Sequence, residues 1–275
     1  MKIQGIAKFF LFLMFSTLLS ALVGCAGSAV VRPGDIADVR FLCWLKNGEV
    51  VAATDKSVAN RKDMPKSPVF LERAKQGPVP IEAVAPGAKV GAEKEVPFEI
   101  EIMDRLAREI VGMKQGESRT IGLAANNVPG RERKDYVVTM PRVRFRPKEM
   151  RMTIGDCQVR TGNKKPKAGQ TVNIYPEARG RIEAVTKDEC VIRFSAKPGT
   201  VIATAFGPGT ITESKDNYEI TINARKGALV RTGPLVGRIT DVDGDNMTID
   251  YRNPFGGEAL VCGVGVEKIE KKKDK

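Results

Sequence analysis

The sequence predicts an α+β fold, with an antiparallel sheet wrapped on one helix and an all-β region inserted late in the chain. Three observations predict it. Residues 39–54, VRFLCWLKNGEVVAAT, hold two runs of β-forming residues around Asn47-Gly48, a strong short-range hairpin signal. Residues 99–111 place Ile102, Leu106 and Ile110 at four-residue spacing, with Asp104, Arg105, Arg108 and Glu109 on the other side, as in an amphipathic helix. From residue 148 to 256, short strand-like runs alternate with Gly, Pro, Asn and Asp turns, and no helical period is visible.

The composition supports a folded chain. Of 275 residues, 42% are hydrophobic and 28% charged, which excludes general disorder. Histidine is absent, which excludes Ser-His-Asp and Cys-His catalysis, His-ligated metals and His-based pH switching. The net charge is +12.

The first residues read as a leader. Lys2 and Lys8 precede the apolar run Phe9–Val23, which is short for a bilayer span. Leu22-Val23-Gly24-Cys25 resembles the bacterial lipobox. The resemblance implies removal of residues 1–24 as a lipoprotein signal peptide and lipidation of Cys25. Residues 25–34 would then form a tether, and an uncleaved signal anchor is the alternative. Ala26 implies outer-membrane sorting, with the protein facing the periplasm. Losing Lys2 and Lys8 with the leader lowers the net charge to +10. Export removes nucleic acid as the expected partner of that charge, and an anionic membrane surface is the other candidate. The closing run EKIEKKKDK reads as a solvated tail, with 271–275 as its basic end.

The remaining elements follow in order. Residues 55–97 are rich in Pro, Lys and Ala, which predicts a long irregular loop with a helical turn near 70–74. Gly112 stops the helix. Residues 118–123 and 136–145 read as strands. In the inserted region, GRIEAVTKDECVIRFSAKPG (180–199) aligns without gaps to GRITDVDGDNMTIDYRNPFG (237–256), which reads as a duplicated hairpin. Asp241, Asp243 and Asp245 imitate the start of a calcium loop, but Asn246 and Arg252 stand where an EF-hand needs Gly and Glu, so a polar turn is the reading and no metal site is expected. Cys43, Cys157, Cys190 and Cys262 allow three pairings, and spacing does not choose among them.

The run 102–130, with Gly112-Met113-Lys114-Gln115-Gly116-Glu117-Ser118-Arg119 at its centre, resembles the core of FKBP-type peptidyl-prolyl isomerases. The hairpin 39–54 is similar to that family's earlier strand pair. Residues 251–270, YRNPFGGEALVCGVGVEKIE, are similar to its closing segment in the SlyD-like subgroup, where a β domain inserted in the flap acts as a chaperone module. The resemblance implies an FKBP-like domain over 35–147 plus 257–270 and an inserted region over 148–256. It also implies a substrate pocket built from Phe41, Val51, Ile102, Met103, Leu106, Pro129 and Cys262, with Ile102 and Met103 at the start of the helix. That family twists the X-Pro bond in an apolar pocket without a cofactor, so none is expected. Ala52, Pro129 and Cys262 replace an Asp, a Tyr and a Phe of the family pattern, which weakens the pocket.

Two functions follow, with an envelope structural protein whose basic surface is held to anionic lipid or cell wall as a third. One is a membrane-anchored folding factor acting on unfolded or proline-containing client chains, with isomerase activity. The other is a catalytically degenerate binding or assembly lipoprotein on the same scaffold.

Overall fold

The computed structural model describes residues 29–73, 75–88, 96–127 and 136–272. The expected leader and Cys25 lie outside these residues, as does Pro129.

β1 (Ile36–Leu45) alternates with a period of two, and Ala37, Val39, Phe41, Cys43 and Leu45 are buried. The Asn47-Gly48 turn leads into β2 (Val50–Ala53), buried throughout. The single turn α1 (Ser57–Asn60) and the strands β3 (Lys66–Leu71) and β4 (Val79–Glu82) follow. Ordered strands therefore replace part of the irregular loop expected from the Pro content. Pro68 lies in β3, at the edge of its sheet, and Pro80 in β4, which pairs with β1 alone; edge strands tolerate a missing N–H. β3 also occupies the start of the expected helical turn near residue 70.

Next come α2 (Phe98–Glu109) and β5 (Ser118–Leu123). Three short strands then run in succession: β6 (Val137–Pro141), β7 (Val143–Pro147) and β8 (Glu149–Thr153). α3 (Ile154–Thr161) is a helix in the region expected to have none, capped by Thr153, whose hydroxyl accepts from the Asp156 N–H at 3.1 Å. Nine strands follow: β9 (Thr171–Tyr175), β10 (Ala178–Val185), β11 (Glu189–Ser195), β12 (Val201–Thr204), β13 (Gly207–Glu213), β14 (Asn217–Ile222), β15 (Leu229–Thr232), β16 (Leu235–Asp243) and β17 (Asn246–Asp250). A 3-10 turn at Pro254–Gly257 leads to β18 (Leu260–Glu270).

This corrects the expected α+β class. Among the described residues, eighteen strands in four sheets stand against three α-helices, and the chain is mostly β. The sequence expectation gave the single helix too much weight. Residues 55–97 hold β3 and β4 where a continuous loop was expected, and the second half holds three sheets.

The largest sheet has the order β3-β2-β1-β18-β5, with β4 on the first half of β1. The two ends of the chain meet in it, since β1 and β18 pair from Ile36↔Glu270 to Leu45↔Leu260. α2 adds Phe98, Ile102 and Leu106 to the buried cluster that holds the inner residues of β1 and β18. Each such side chain contributes about 1.5–3 kcal/mol on burial.

The other three sheets form an arm of three equivalent units. Each unit is a three-stranded meander: β9-β10-β11, β12-β13-β14 and β15-β16-β17. The hydrogen bonds repeat as well. Gly169 N–H donates to Ile182 O at 2.7 Å, Gly199 N–H to Ile211 O at 2.8 Å and Gly227 N–H to Ile239 O at 2.7 Å. The same three isoleucine N–H groups donate to Gln170, Thr200 and Ala228 carbonyls at 2.9, 3.0 and 2.9 Å. A second glycine repeats by close approach. A Cβ on Gly180, Gly209 or Gly237 would lie 2.8 Å from Val172, 2.9 Å from Ile220 or 2.6 Å from Tyr251. The two hairpins aligned in the sequence are thus the outer units, and a third copy lies between them.

β6, β7 and β8 supply the fourth strand of each unit in reverse order: β8 pairs with β11, β7 with β14 and β6 with β17. The arm therefore begins at Val137, ahead of the boundary expected at residue 148. The first and second units share one buried cluster, Phe206 of the second packs on the core of the third, and Leu229 and Val236 of the third pack with the base sheet. The joint to the base is specific. Phe98 N–H, unpaired at the helix start, donates to Pro234 O at 2.8 Å, and buried Glu101 accepts from Phe255 N–H at 2.9 Å. Phe255 packs edge-on against Phe98, ring centroids 6.2 Å apart, and holds a left-handed backbone (φ 57).

Candidate binding site

The residues of the expected pocket gather in one layer. Phe41, Val51, Ile102, Leu106 and Cys262 belong to the cluster between α2 and the base sheet, with half-buried Met103 packed against it. They form a closed core there. Phe41 is 4% exposed, and Val51, Ile102, Leu106 and Cys262 are fully buried. Cys262 is bonded to Cys43, its directly facing partner on β1, so no open thiol lines this layer. The second disulfide joins Cys157 of α3 to Cys190 of β11. α2 starts at Phe98, which puts Ile102 and Met103 inside the helix and not at its start as the resemblance implied. Their backbone N–H groups are thereby directed along the helix axis to earlier carbonyls.

The opposite face of the base sheet carries an open groove of about 660 Å³ lined by Arg40, Leu42, Val58, Thr120, Gly263 and Gly265, among others. Its arginines are already paired: Arg40 with Glu267, Arg119 with Glu117, and Arg61 with Asp63 at 2.5 Å. The Arg119 guanidinium and the Lys114 N–H hold the Glu117 carboxyl below the usual carboxylate range. Asp55 also lines the groove and accepts from Ser57 N–H at 2.8 Å, so the charge left over there is acidic.

The arm presents a different surface. Along 142–148 every second residue is cationic and turned toward the units. Arg142 donates to the Ile222 and Gly244 carbonyls at 3.0 and 2.8 Å. Arg144 lies 5.8 Å from the Phe206 ring centroid, Arg146 4.9 Å from that of Tyr175 and Lys148 5.5 Å from that of Tyr218. Arg146 also meets Glu177 at 3.4 Å and Lys148 meets Glu213 at 3.0 Å. Because the cations face inward, Val143, Phe145 and Pro147 face outward.

On the middle unit this creates an apolar and threonine-rich sheet face. One row is Val201, Thr210, Thr221 and Val143; the next holds Thr212, Glu219 and Phe145. Phe145 is 58% exposed and Val201 62%. β7 is the last strand of its sheet. Ile222 N–H bonds Arg142 O and Lys148 N–H bonds Asp216 O, so the even-numbered residues serve β14 and the backbone groups of Val143 and Phe145 point to the outer edge, where the Arg146 guanidinium donates to Phe145 O at 3.1 Å. Sequence reasoning missed this site. The available signal was the alternation in Arg142-Val-Arg144-Phe-Arg146-Pro-Lys148, which marks a strand with one cationic face.

Among the described residues no group of three or more Cys, Asp or Glu side chains could hold a metal ion, and no helix is long and apolar enough to cross a membrane. Compared with known proteins, the chain matches no protein-family model and no curated protein sequence.

Proposed function

We propose that this protein is an envelope-anchored folding factor that holds unfolded polypeptide on the outer face and open edge of the middle arm unit. The observation that carries this reading is the exposure of Phe145 on the edge strand β7 and of Val201 on β12, across one face of the same sheet. Isolated exposed apolar residues are ordinary. Two large ones on a face whose rows otherwise offer threonines and a single carboxylate make a surface suited to extended apolar chain. Such a strand would pair its backbone with β7 and lay alternate side chains on that face. The lipobox-like Leu22–Cys25 supports attachment to the membrane, with the arm facing the periplasm.

The test is suppression of aggregation of a chemically unfolded client by the chain without its leader. Phe145→Asp with Val201→Asp should abolish the suppression while leaving the melting transition in place. Undiminished suppression by that variant would overturn the assignment.

A second reading, peptidyl-prolyl isomerisation, is favoured by the GMKQGESR resemblance and by the gathering of Phe41, Val51, Ile102 and Leu106 in one layer. The burial of that layer opposes it, because a substrate proline needs an opening. Acceleration of a proline-limited refolding reaction, lost in Met103→Glu, would establish the activity. No acceleration leaves the arm as the working part.

A further inference from the structure

We propose that the end of the base sheet where the N-terminal chain joins the fold is a membrane-contacting face that binds anionic phospholipid headgroups. The proposal rests on the reading that the N-terminus attaches the protein to a membrane.

The attachment point is fixed. Val31 N–H donates to Met113 O and Gly112 N–H to Val31 O, both at 2.9 Å, while Gln115 N–H donates to Ala29 O at 2.8 Å. The Lys271 ammonium donates to Val30 O at 2.6 Å and to Asp35 Oδ2 at 2.8 Å. Ala29 is four residues beyond Cys25 and six beyond Val23, the end of the apolar run. Extended chain spans at most about 3.5 Å per residue, so this end lies within about 14 Å of a lipidated Cys25 or about 21 Å of an uncleaved apolar anchor. Both forms of attachment bring the same face to the bilayer.

That face has the chemistry to meet it. Arg32, Lys114 and Lys272 are exposed there, with the Lys272 side chain lying over Gly34, while the Lys271 ammonium is held by Asp35. Val30 and Ile36, two of the exposed large apolar residues, sit among them at 36% and 41% exposure. The acids nearby are mostly occupied. Asp35 is buried on Lys271, Glu117 is tied to Arg119, and Glu270 meets Lys268 at 2.6 Å; Glu82 stays exposed. Cations with short apolar side chains between them suit a headgroup layer, where each basic residue adds attraction within a Debye length of about 8–10 Å.

The orientation is consistent. α2 begins on the arm, at the Phe98–Pro234 hydrogen bond, and the chain just beyond its end bonds Val31. β18 likewise runs from Leu260, near the arm, to Glu270 beside the tether. A helix of 12 residues spans about 18 Å and a strand of 11 about 36 Å, so this face, set on the membrane, holds the arm away from it.

The test uses residues 26–275, which keep every described element, and vesicles of phosphatidylcholine alone or mixed with phosphatidylglycerol. Co-sedimentation should occur with the mixed vesicles only and fall steeply with added salt. Arg32→Glu, Lys114→Glu and Lys272→Glu together should weaken it by more than about tenfold. Lys271 is left in place because it holds Asp35. A control with Arg160→Glu, Lys164→Glu and Lys187→Glu on the first arm unit makes the same charge change and should retain binding. Absence of binding to mixed vesicles overturns the proposal. Equal loss in both triple variants also overturns it, because it traces binding to net charge, and so does retention on insoluble cell wall in place of vesicles. Mass measurement of the N-terminal peptide from the full chain reports lipidation separately, so failure of the anchor and failure of the face give different results.

Discussion

The disulfide between Cys43 and Cys262 should be the largest single covalent contribution to the base domain. The two cysteines are 219 residues apart in sequence and face each other on β1 and β18. Joining them closes nearly the whole described chain into one loop. The chain-entropy relation gives about 5 kcal/mol for a loop of that length, against about 4 kcal/mol for Cys157–Cys190, whose cysteines are 33 apart. Removal of a native disulfide typically costs about 2–5 kcal/mol, which is the working range. The perturbation is Cys43→Ala with Cys262→Ala, compared with Cys157→Ala and Cys190→Ala. Hydrogen exchange resolved along the chain is the assay, since an arm and a base need not unfold as one unit. The first pair should lose protection across β1, β5 and β18. The second should lose it in the first two units, which share a core. Loss of protection in the arm alone from the first pair, or none at all, would refute the argument that this bond constrains the base.

The other predictions use the repeat, the core and the chain ends. Gly237→Ala drives a Cβ to 2.6 Å from the Tyr251 ring and 2.9 Å from the Asp250 carbonyl, and should cost about 1–3 kcal/mol in urea unfolding; a neutral result would mean the third unit is looser than its contacts imply. Leu106→Ala, in the fully buried layer, should cost about 2–5 kcal/mol; less than about 1 kcal/mol would point to an open pocket there. Burial would raise the Asp35 carboxyl, but the Lys271 ammonium and the Arg32 and Lys272 N–H groups outweigh it, and the net shift is downward. A carboxyl lower in the folded state stabilises above its unfolded value near 4, and the stabilisation is lost as pH falls through the folded value. Acid titration followed by exchange should therefore loosen 29–35 and 268–272 early, and Asp35→Asn should do the same at neutral pH at a cost of about 1–3 kcal/mol.

Local chemistry was legible in the sequence where it sufficed. The Asn47-Gly48 hairpin and the four-residue spacing of Ile102, Leu106 and Ile110 fall where periodicity put them. α3 escaped because Cys157 is its one buried residue, leaving no apolar period; the cue was its cap, Thr153 with Asp156 three residues on. The middle unit escaped because its hairpin lacks the bulge residue that follows Ile182 and Ile239, so Gly209 and Gly227 are 18 apart where Gly180 and Gly199, and Gly237 and Gly256, are 19 apart, which breaks a gapless alignment. Its glycines and isoleucines match only once register is known. The expected pocket was less legible for another reason. An apolar residue on a helix facing a sheet is the same letter whether it lines a cleft or fills a core, and Val51, Ile102 and Leu106 are buried here.

The threading of β6, β7 and β8 also implies an order of assembly. Each unit's meander is local, but its fourth strand arrives from upstream. Arg193 of the first unit meets Glu149 across 44 residues, Arg142 reaches Ile222 of the second across 80, and Thr139 meets Thr248 of the third across 109. Loop closure between the shortest and the longest differs by about 0.8 kcal/mol, roughly fourfold in probability. The first unit gains further because Cys157–Cys190 lies within it. Pulse-labelled exchange during oxidative refolding should protect β8 and β11 before β6 and β17. The third unit also makes the joint to α2 through Pro234 and Phe255, so it should gain protection together with the base. If β6 and β17 become protected first, the joint nucleates the arm and chain proximity does not. The units would then fold outward from the base, with the surface of Phe145 completed after its attachment.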